Sequence, residues 1–231
     1  MDTLSEAYRL VAAFDPMLVD IVLLSLRVSL SAVLFATLVG APLGAALAIW
    51  SFPGRQALVI TATALMALPP VVVGLFVYLS LSRAGPLGQF GLLFTPTAMV
   101  IAQSILILPI IVALTREAIL PLHREYRDLL TGVGAGRWLT LRTLLWDARF
   151  SVATAILAGF GRAIAEVGAV LIVGGNIAGL TRVMTTTIAL ETSKGNLELA
   201  LALGLILIAI AFAVNLIMHA LTRFGQRYQV A

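Results

Sequence analysis

Apolar side chains in this chain come in long, nearly unbroken runs rather than at alternate or every-third positions. Five runs stand out, at about 19–50, 57–82, 95–115, 149–174 and 197–221. Each is at least as long as the roughly 20 residues an α-helix needs to cross about 30 Å of hydrocarbon. A backbone facing lipid must satisfy its own hydrogen bonds, and a helix does so within one segment. A transmembrane β-strand would interleave polar positions, and the stretch from Leu199 to Ala213 has none. The pattern predicts an all-α integral membrane protein with five transmembrane helices. The first run invites a split at Pro42, but no charge or turn cluster interrupts it, so one tilted or kinked helix is expected.

Composition narrows the class further. Of 231 residues, 61% are hydrophobic and 11% charged, against about 25% charged in soluble domains. A soluble globule and a disordered polar chain are both excluded. Residues 1–18 carry Asp2, Glu6 and Asp15 against Arg9. That is no basic leader, so an extracytoplasmic segment is expected rather than a cleavable signal.

Orientation follows from the basic residues. If the five spans alternate, Arg55, the six arginines between Arg116 and Arg149, Arg223 and Arg227 share one side. The other side holds Arg9, Arg83, Arg182 and Lys194. Positive charge concentrates on the cytoplasmic side, which puts the N-terminus outside and the C-terminus inside. The expected organisation is an outer segment 1–18, a membrane domain 19–222 with a cytoplasmic loop 116–148, and a cytoplasmic tail 223–231.

The chemistry the chain lacks is as informative. Cysteine is absent and only His123 and His219 exist, so thiolate chemistry and a His-rich metal site fall away, and no metal or other cofactor is expected. A P-loop needs a glycine-rich turn ending in Gly-Lys-Ser/Thr. The sole lysine, Lys194, stands between Ser193 and Gly195 in the wrong order, and the Gly132–Gly136 stretch ends in Arg137-Trp138. No Gly-x-Ser-x-Gly elbow or His-Glu-x-x-His pair occurs. The chain is not expected to be an enzyme; if ATP drives anything here, another subunit hydrolyses it.

The cytoplasmic loop holds the most distinctive motif. Residues 124–147 run from a charged turn through a short apolar face to a glycine break and a second amphipathic stretch. An apolar face of this kind suits a groove on a partner, and a basic amphipathic helix resting on anionic lipid reads equally well from the loop alone. The stretch resembles the cytoplasmic loop of ABC importer permeases: Glu-Ala-Ala, three residues, Gly, nine residues, Ile, one residue, Leu-Pro. Asp128, Leu129 and Leu130 fall on the first three positions, Gly134 on the glycine and Leu144 on the isoleucine. Trp146-Asp147 replaces Leu-Pro.

The resemblance continues through Ser25–Leu30, Ala67–Gly74, Gly174–Gly179 and Thr181–Thr186. These look like the molybdate, tungstate and sulfate branch of the family, and Ile188–Gly195 looks most like its tungstate-type members. It implies a five-helix permease of the type I importer kind in the cell (inner) membrane. Two copies would pair, with two ATP-binding subunits on the cytoplasmic face and an oxyanion-binding protein outside; membrane lipids surround them, and no nucleic acid is involved. Asp128, Leu129, Leu130, Gly134, Ala135 and Arg137 would couple to the ATPase. A molybdate or sulfate importer is the near alternative, and a non-transporting membrane scaffold the distant one.

Further residues invite a role. Pro69 and Pro70 interrupt the second span, and interrupted helices line transport paths, so Pro69, Pro70, Val72 and Gly74 are candidate path residues; a plain packing kink is the alternative. Arg162 and Glu166 are four apart and share a helix face, as a neutralising ion pair or a group that senses the passing anion. Arg27 is expected to snorkel outward or attract anions. Asn176, Thr181 and Thr185–Thr187 suit an outer vestibule, a partner surface or a hydrated loop. The small residues Gly40, Gly44, Ala155, Gly159 and Ala163 suit close helix packing.

Overall fold

The computed structural model describes residues 3–229, with side chains as far as residue 224. Asp2, the end of the 223–231 tail and the Arg227 side chain lie outside the described residues. The helices are α1 (Thr3–Ala12), α2 (Pro16–Ile49), α3 (Arg55–Leu65), α4 (Pro70–Leu81), α5 (Pro96–Gly132), α6 (Arg137–Asp147), α7 (Arg149–Ile164), α8 (Gly168–Gly174), α9 (Met184–Lys194) and α10 (Leu197–Gln229). Among the described residues there is no strand. Three of them, α2, α5 and α10, are long and apolar enough to cross a membrane. Two bent pairs bring the total to five if each makes one crossing: α3 with α4 at 104° and α6 with α7 at 73°.

The continuous helices start on well-formed caps. The Asp15 carboxylate accepts from the N–H groups of Met17 and Leu18 at 3.0 and 3.2 Å, and Pro16 follows at the first helical position, where its missing N–H costs nothing. Helix α2 then runs through Pro42 unbroken. The hydroxyl of Thr95 caps α5, whose 37 residues include Pro109 and Pro121. The apolar run ends at Thr115, yet α5 continues as one helix to Gly132.

Two expected spans are instead broken. At the first break, Met66, Ala67 and Leu68 close three-residue turns on Thr63, Ala64 and Leu65, and Pro69 turns extended (ψ 126°). The cause is Pro70, whose ring disfavours helical backbone in the residue before it. The second break, at 165–167, separates α7 from α8 and has no proline.

Packing rests on small residues. Helices α2 and α5 form the most extensive contact in the fold, through a buried stripe on α2 that includes Ala32, Ala36, Gly40, Gly44 and Ala48. A Cβ at Gly44 would press into the Val112 carbonyl oxygen and lie 3.0 Å from the Thr115 Cβ. Ser104 adds a hydrogen bond to the Ala32 carbonyl at 3.3 Å. One apolar cluster gathers α2, α5, α7 and α10; a second gathers α4, α8 and the N-terminal part of α5. The short α1 packs on α10 and buries Ala7 completely.

These contacts rank glycine substitutions. Gly44→Val should lower stability by about 1–3 kcal/mol through overpacking against backbone, read as a lower melting temperature in detergent. Gly204→Ala meets nothing within 4 Å and should melt at or above wild type, because alanine is the better helix former.

Candidate translocation and coupling site

The two helix breaks lie against each other. A Cβ at Gly168, the first residue of α8, would come within 2.8 Å of Val71 Cγ2, beside the start of α4. Val71, Val72 and Val167 are exposed around this junction. Pro69 caps α4 and Pro70 opens it. Gly74 lies apart from them, buried in the contact between α4 and α8, where a Cβ would reach 2.7 Å from Ala169 Cα. Among the candidate path residues, then, Pro69, Pro70 and Val72 sit at the junction, and Gly74 sets how closely its two helices approach.

Glu166 joins the pieces at this point. Its Oε2 accepts from Arg162 Nη1 at 2.6 Å, and its Oε1 accepts from the Ala169 N–H at 3.1 Å. Its backbone carbonyl accepts from the Thr185 hydroxyl at 2.7 Å. Nearby, Gln103 Nε2 donates to the Ala163 carbonyl at 3.0 Å, tying α5 to the end of α7. The ion pair foreseen on one helix face therefore straddles the end of α7: Arg162 is in its last turn, and Glu166 is in the break. Glu166 is 4% exposed, whereas the Arg162 side chain keeps 35%. The carboxylate caps α8 as well as pairing with the arginine, a role that spacing alone did not reveal.

The threonine cluster is not a hydrated loop or an outward-facing surface. Thr181, Thr185, Thr186 and Thr187 are all buried. Thr186 accepts from the Val183 N–H at 3.2 Å at the start of α9, Thr187 donates to the Val183 carbonyl, and Thr181 bridges the Gly174 carbonyl and the Ile177 N–H. Ser25 of α2 accepts from the Met184 N–H at 2.8 Å. Their hydroxyls satisfy backbone groups where α8 ends and α9 begins. Asn176 adopts a left-handed backbone (φ 52°) and donates to the Thr186 carbonyl at 3.4 Å.

Beyond this lie two further polar features. Arg27 is exposed and lines, with Asp20 and Arg182, a cavity of about 580 Å³ beside the 178–182 loop. Buried Glu191 accepts from Lys194 Nζ at 2.8 Å and Asn196 Nδ2 at 3.0 Å. The Lys194 hydrogen bond holds its carboxyl below the usual value, against the opposing effect of burial. No group of three or more His, Cys, Asp or Glu residues suited to a metal occurs among the described residues.

The coupling candidates form the tip of α5 and the turn after it. Asp128, Leu129 and Leu130 occupy the last turns of α5. Gly134 turns the chain with φ +68°, a conformation side chains resist. The Ala135 N–H donates to the Leu130 carbonyl at 2.8 Å, Gly136 precedes α6, and Arg137 is its first residue. Leu129, Val133, Trp138, Leu139 and Trp146 are exposed here, beyond the apolar run of the span. Arg149 lies over the rings of Trp146 and Phe150 at 5.1 and 4.8 Å.

The Glu166 geometry predicts an order among variants. Arg162→Gln should destabilise by about 1–3 kcal/mol, because a buried carboxylate loses its countercharge. Glu166→Gln should cost less, since an amide oxygen still caps Ala169 and the half-exposed guanidinium finds water. The double variant Arg162→Gln/Glu166→Gln should recover part of the Arg162→Gln loss. Thermal unfolding of the four proteins in detergent measures this order.

Comparison with known proteins closes the assignment. The chain is 40% identical over 225 residues to the tungstate uptake system permease protein TupB of Peptoclostridium acidaminophilum, covering 96% of this chain and 99% of that protein. It is 42% identical over 186 residues to a probable anion ABC transporter permease protein of Haloferax volcanii, covering 78% and 80%. The molybdenum transport system permease protein ModB of Escherichia coli K12 is 30% identical over 175 residues, covering 72% and 76%. Residues 40–224, which include both helix breaks and the Gly134 turn, match a membrane permease family. The chain belongs to the family of binding-protein-dependent transport system inner membrane components.

Proposed function

We propose that this chain is the permease subunit of an ABC importer that takes up an oxyanion, tungstate first among them. The observation that carries the reading is 40% identity to a tungstate uptake permease across nearly the full length of both chains. In this reading two copies face each other, and the junction of α4 with α8 at Pro69, Pro70 and Val72 borders a path between them. An external binding protein delivers the anion to the outer face, where the N-terminus lies, and contacts along the path stay transient so that the anion is released. The energy comes from ATP-binding subunits that seat the exposed apolar tip around Leu129 and Trp138.

The fold supports a means of coupling. Helix α5 is continuous from the Gly134 turn to Pro96, about 55 Å at 1.5 Å per residue. It packs against α2, α4, α7 and α8 along the way and holds the end of α7 through Gln103. When the ATP-binding subunits close, displacement of the tip reaches the junction through one rigid element.

Uptake of tungstate by cells expressing the complete importer, measured as cell-associated tungsten by mass spectrometry, tests the reading. Uptake unaffected by deletion of this chain would refute it. Molybdate added in excess shows whether the path admits both anions. Gly134→Val should lower uptake about tenfold or more and reduce co-purification of the ATP-binding subunit, because a β-branched residue resists φ +68°. Nothing lies within 4 Å of a Cβ at Gly134, so Gly134→Asn, which tolerates left-handed backbone, should retain most of both. Orientation is tested in this cysteine-free chain by labelling Asn196→Cys, but not Gly136→Cys, with an impermeant thiol reagent added outside intact cells.

A further inference from the structure

The cytoplasmic part of α5 sorts its charges by face. Helical spacing places Arg116, His123 and Arg127 on one stripe with Arg124 beside it, whereas Glu117 and Glu125 line a separate cavity against α7. The basic stripe meets the C-terminal end of α2 and the turn at 50–55. Between them lie two neighbouring cavities of about 490 and 220 Å³. Arg55, Arg116, His123, Arg124 and Arg127 line the larger; His123 and Arg127 extend into the smaller, where Arg137 joins them. No carboxylate lines either, and none of these arginines is in an ion pair among the described residues.

The walls carry unmet hydrogen-bonding capacity. Trp50 Nε1, Arg116 Nε and His123 Nδ1 are buried without partners. Arg55 is held in place, its Nε donating to the Leu47 carbonyl at 2.7 Å. Buried donors left unpaired are costly, and so is a crowd of like charges in a concave site; an anion relieves both. The depth is also telling: Arg116 directly follows the apolar run, and Trp50 follows the last residue of α2, the level at which lipid phosphates lie. In volume the cavities suit a headgroup or small anion, and the smaller one shares Leu130, Ala135 and Arg137 with the coupling candidates.

We propose that this basic pocket binds a phosphate-type oxyanion group on the cytoplasmic side, carried by an anionic phospholipid or free in solution. The site is separate from the path and does not rest on the transport reading. His123 gives it a pH dependence. Burial, then Arg127 and Arg55, hold the imidazole below its usual pKa; Arg116, Arg124 and Arg137 also surround it, with no acid. In the empty protein the unfolded chain takes the His123 proton first. Stability is therefore unaffected above about pH 6.5 and falls as pH drops below it, until the lowered folded value is passed. A bound anion favours the imidazolium and raises its pKa, so affinity rises as pH falls from that bound-state value towards the lowered value of the empty site.

The test uses the full-length chain carrying Trp138→Phe and Trp146→Phe, which leaves Trp50 as the single tryptophan, in neutral phosphatidylcholine nanodiscs. Sodium phosphate is titrated at constant ionic strength, and phosphatidylglycerol is raised in a second series. We expect a saturable shift of Trp50 emission; with sulfate as a further probe, whose charge is constant from pH 6 to pH 8, the response should be stronger at pH 6, and His123→Gln should remove that difference. Arg116→Gln and Arg124→Gln should each weaken the response about tenfold; Glu117→Gln should leave it unchanged. Arg124 is exposed, so its variant reports even if Arg116→Gln folds poorly. A response to phosphate marks a free anion and a response to phosphatidylglycerol alone marks a lipid; either upholds the site. Silence in both series, or a response that survives Arg124→Gln unchanged, overturns it. Release of the ATP-binding subunit by Arg124→Gln with an unaltered Trp50 response assigns these arginines to the partner protein and likewise overturns the proposal.

Discussion

A helix broken inside a bilayer exposes N–H and carbonyl groups that no water is present to satisfy, and this structure is organised around meeting that demand. Between α7 and α8 the answer is Glu166, which caps the new helix with one oxygen and holds Arg162 with the other. At the far end of α8 the answers are Thr181 and Asn176; at the start of α9 they are Thr186, Thr187 and Ser25 of α2. The buried polar side chains of this region serve the backbone. Satisfying it is what permits the chain to bend beside α4.

The unbroken helices have the complementary task. Helix α5 touches both apolar clusters and runs from Pro96 to the Gly134 turn. Its closeness to α2 depends on the absence of side chains at Gly40 and Gly44. Small residues allow dispersion contact between backbones in a solvent that supplies no hydrophobic drive. The short helices are thus hung on a stiff pair. In a transporter, that arrangement lets a displacement at one face be felt at the other.

Much of this was legible in the residues. The apolar runs announced an all-helical membrane protein, three of whose helices are continuous and long enough to cross; the reading of α2 as one helix through Pro42 agrees with the structure, and Pro69-Pro70 announced the first break. The second break has no proline at 165–167 and could not be foreseen from turn chemistry. Its signal is a buried acid, Glu166, followed at once by Val167-Gly168. The threonines misled because composition gives polarity and not burial: four hydroxyls within seven residues, Thr181–Thr187, look wet until the backbone groups they serve are seen. Likewise, the end of an apolar run marks the edge of hydrocarbon, not of a helix, so the extension of α5 from Thr115 to Gly132 was hidden. The small glycines named the packing theme, but Gly74 as a packing contact required its neighbour Ala169, ninety-five residues away.

The contact of α1 with α10 bears on how the chain assembles. Residues of α1 find their burial, complete at Ala7, on α10, which begins 190 residues later at Leu197. That contact cannot form before α10 has been made. The α1–α10 contact therefore ties an early segment of the chain to a distant one, and α1 can settle only once α10 is in place.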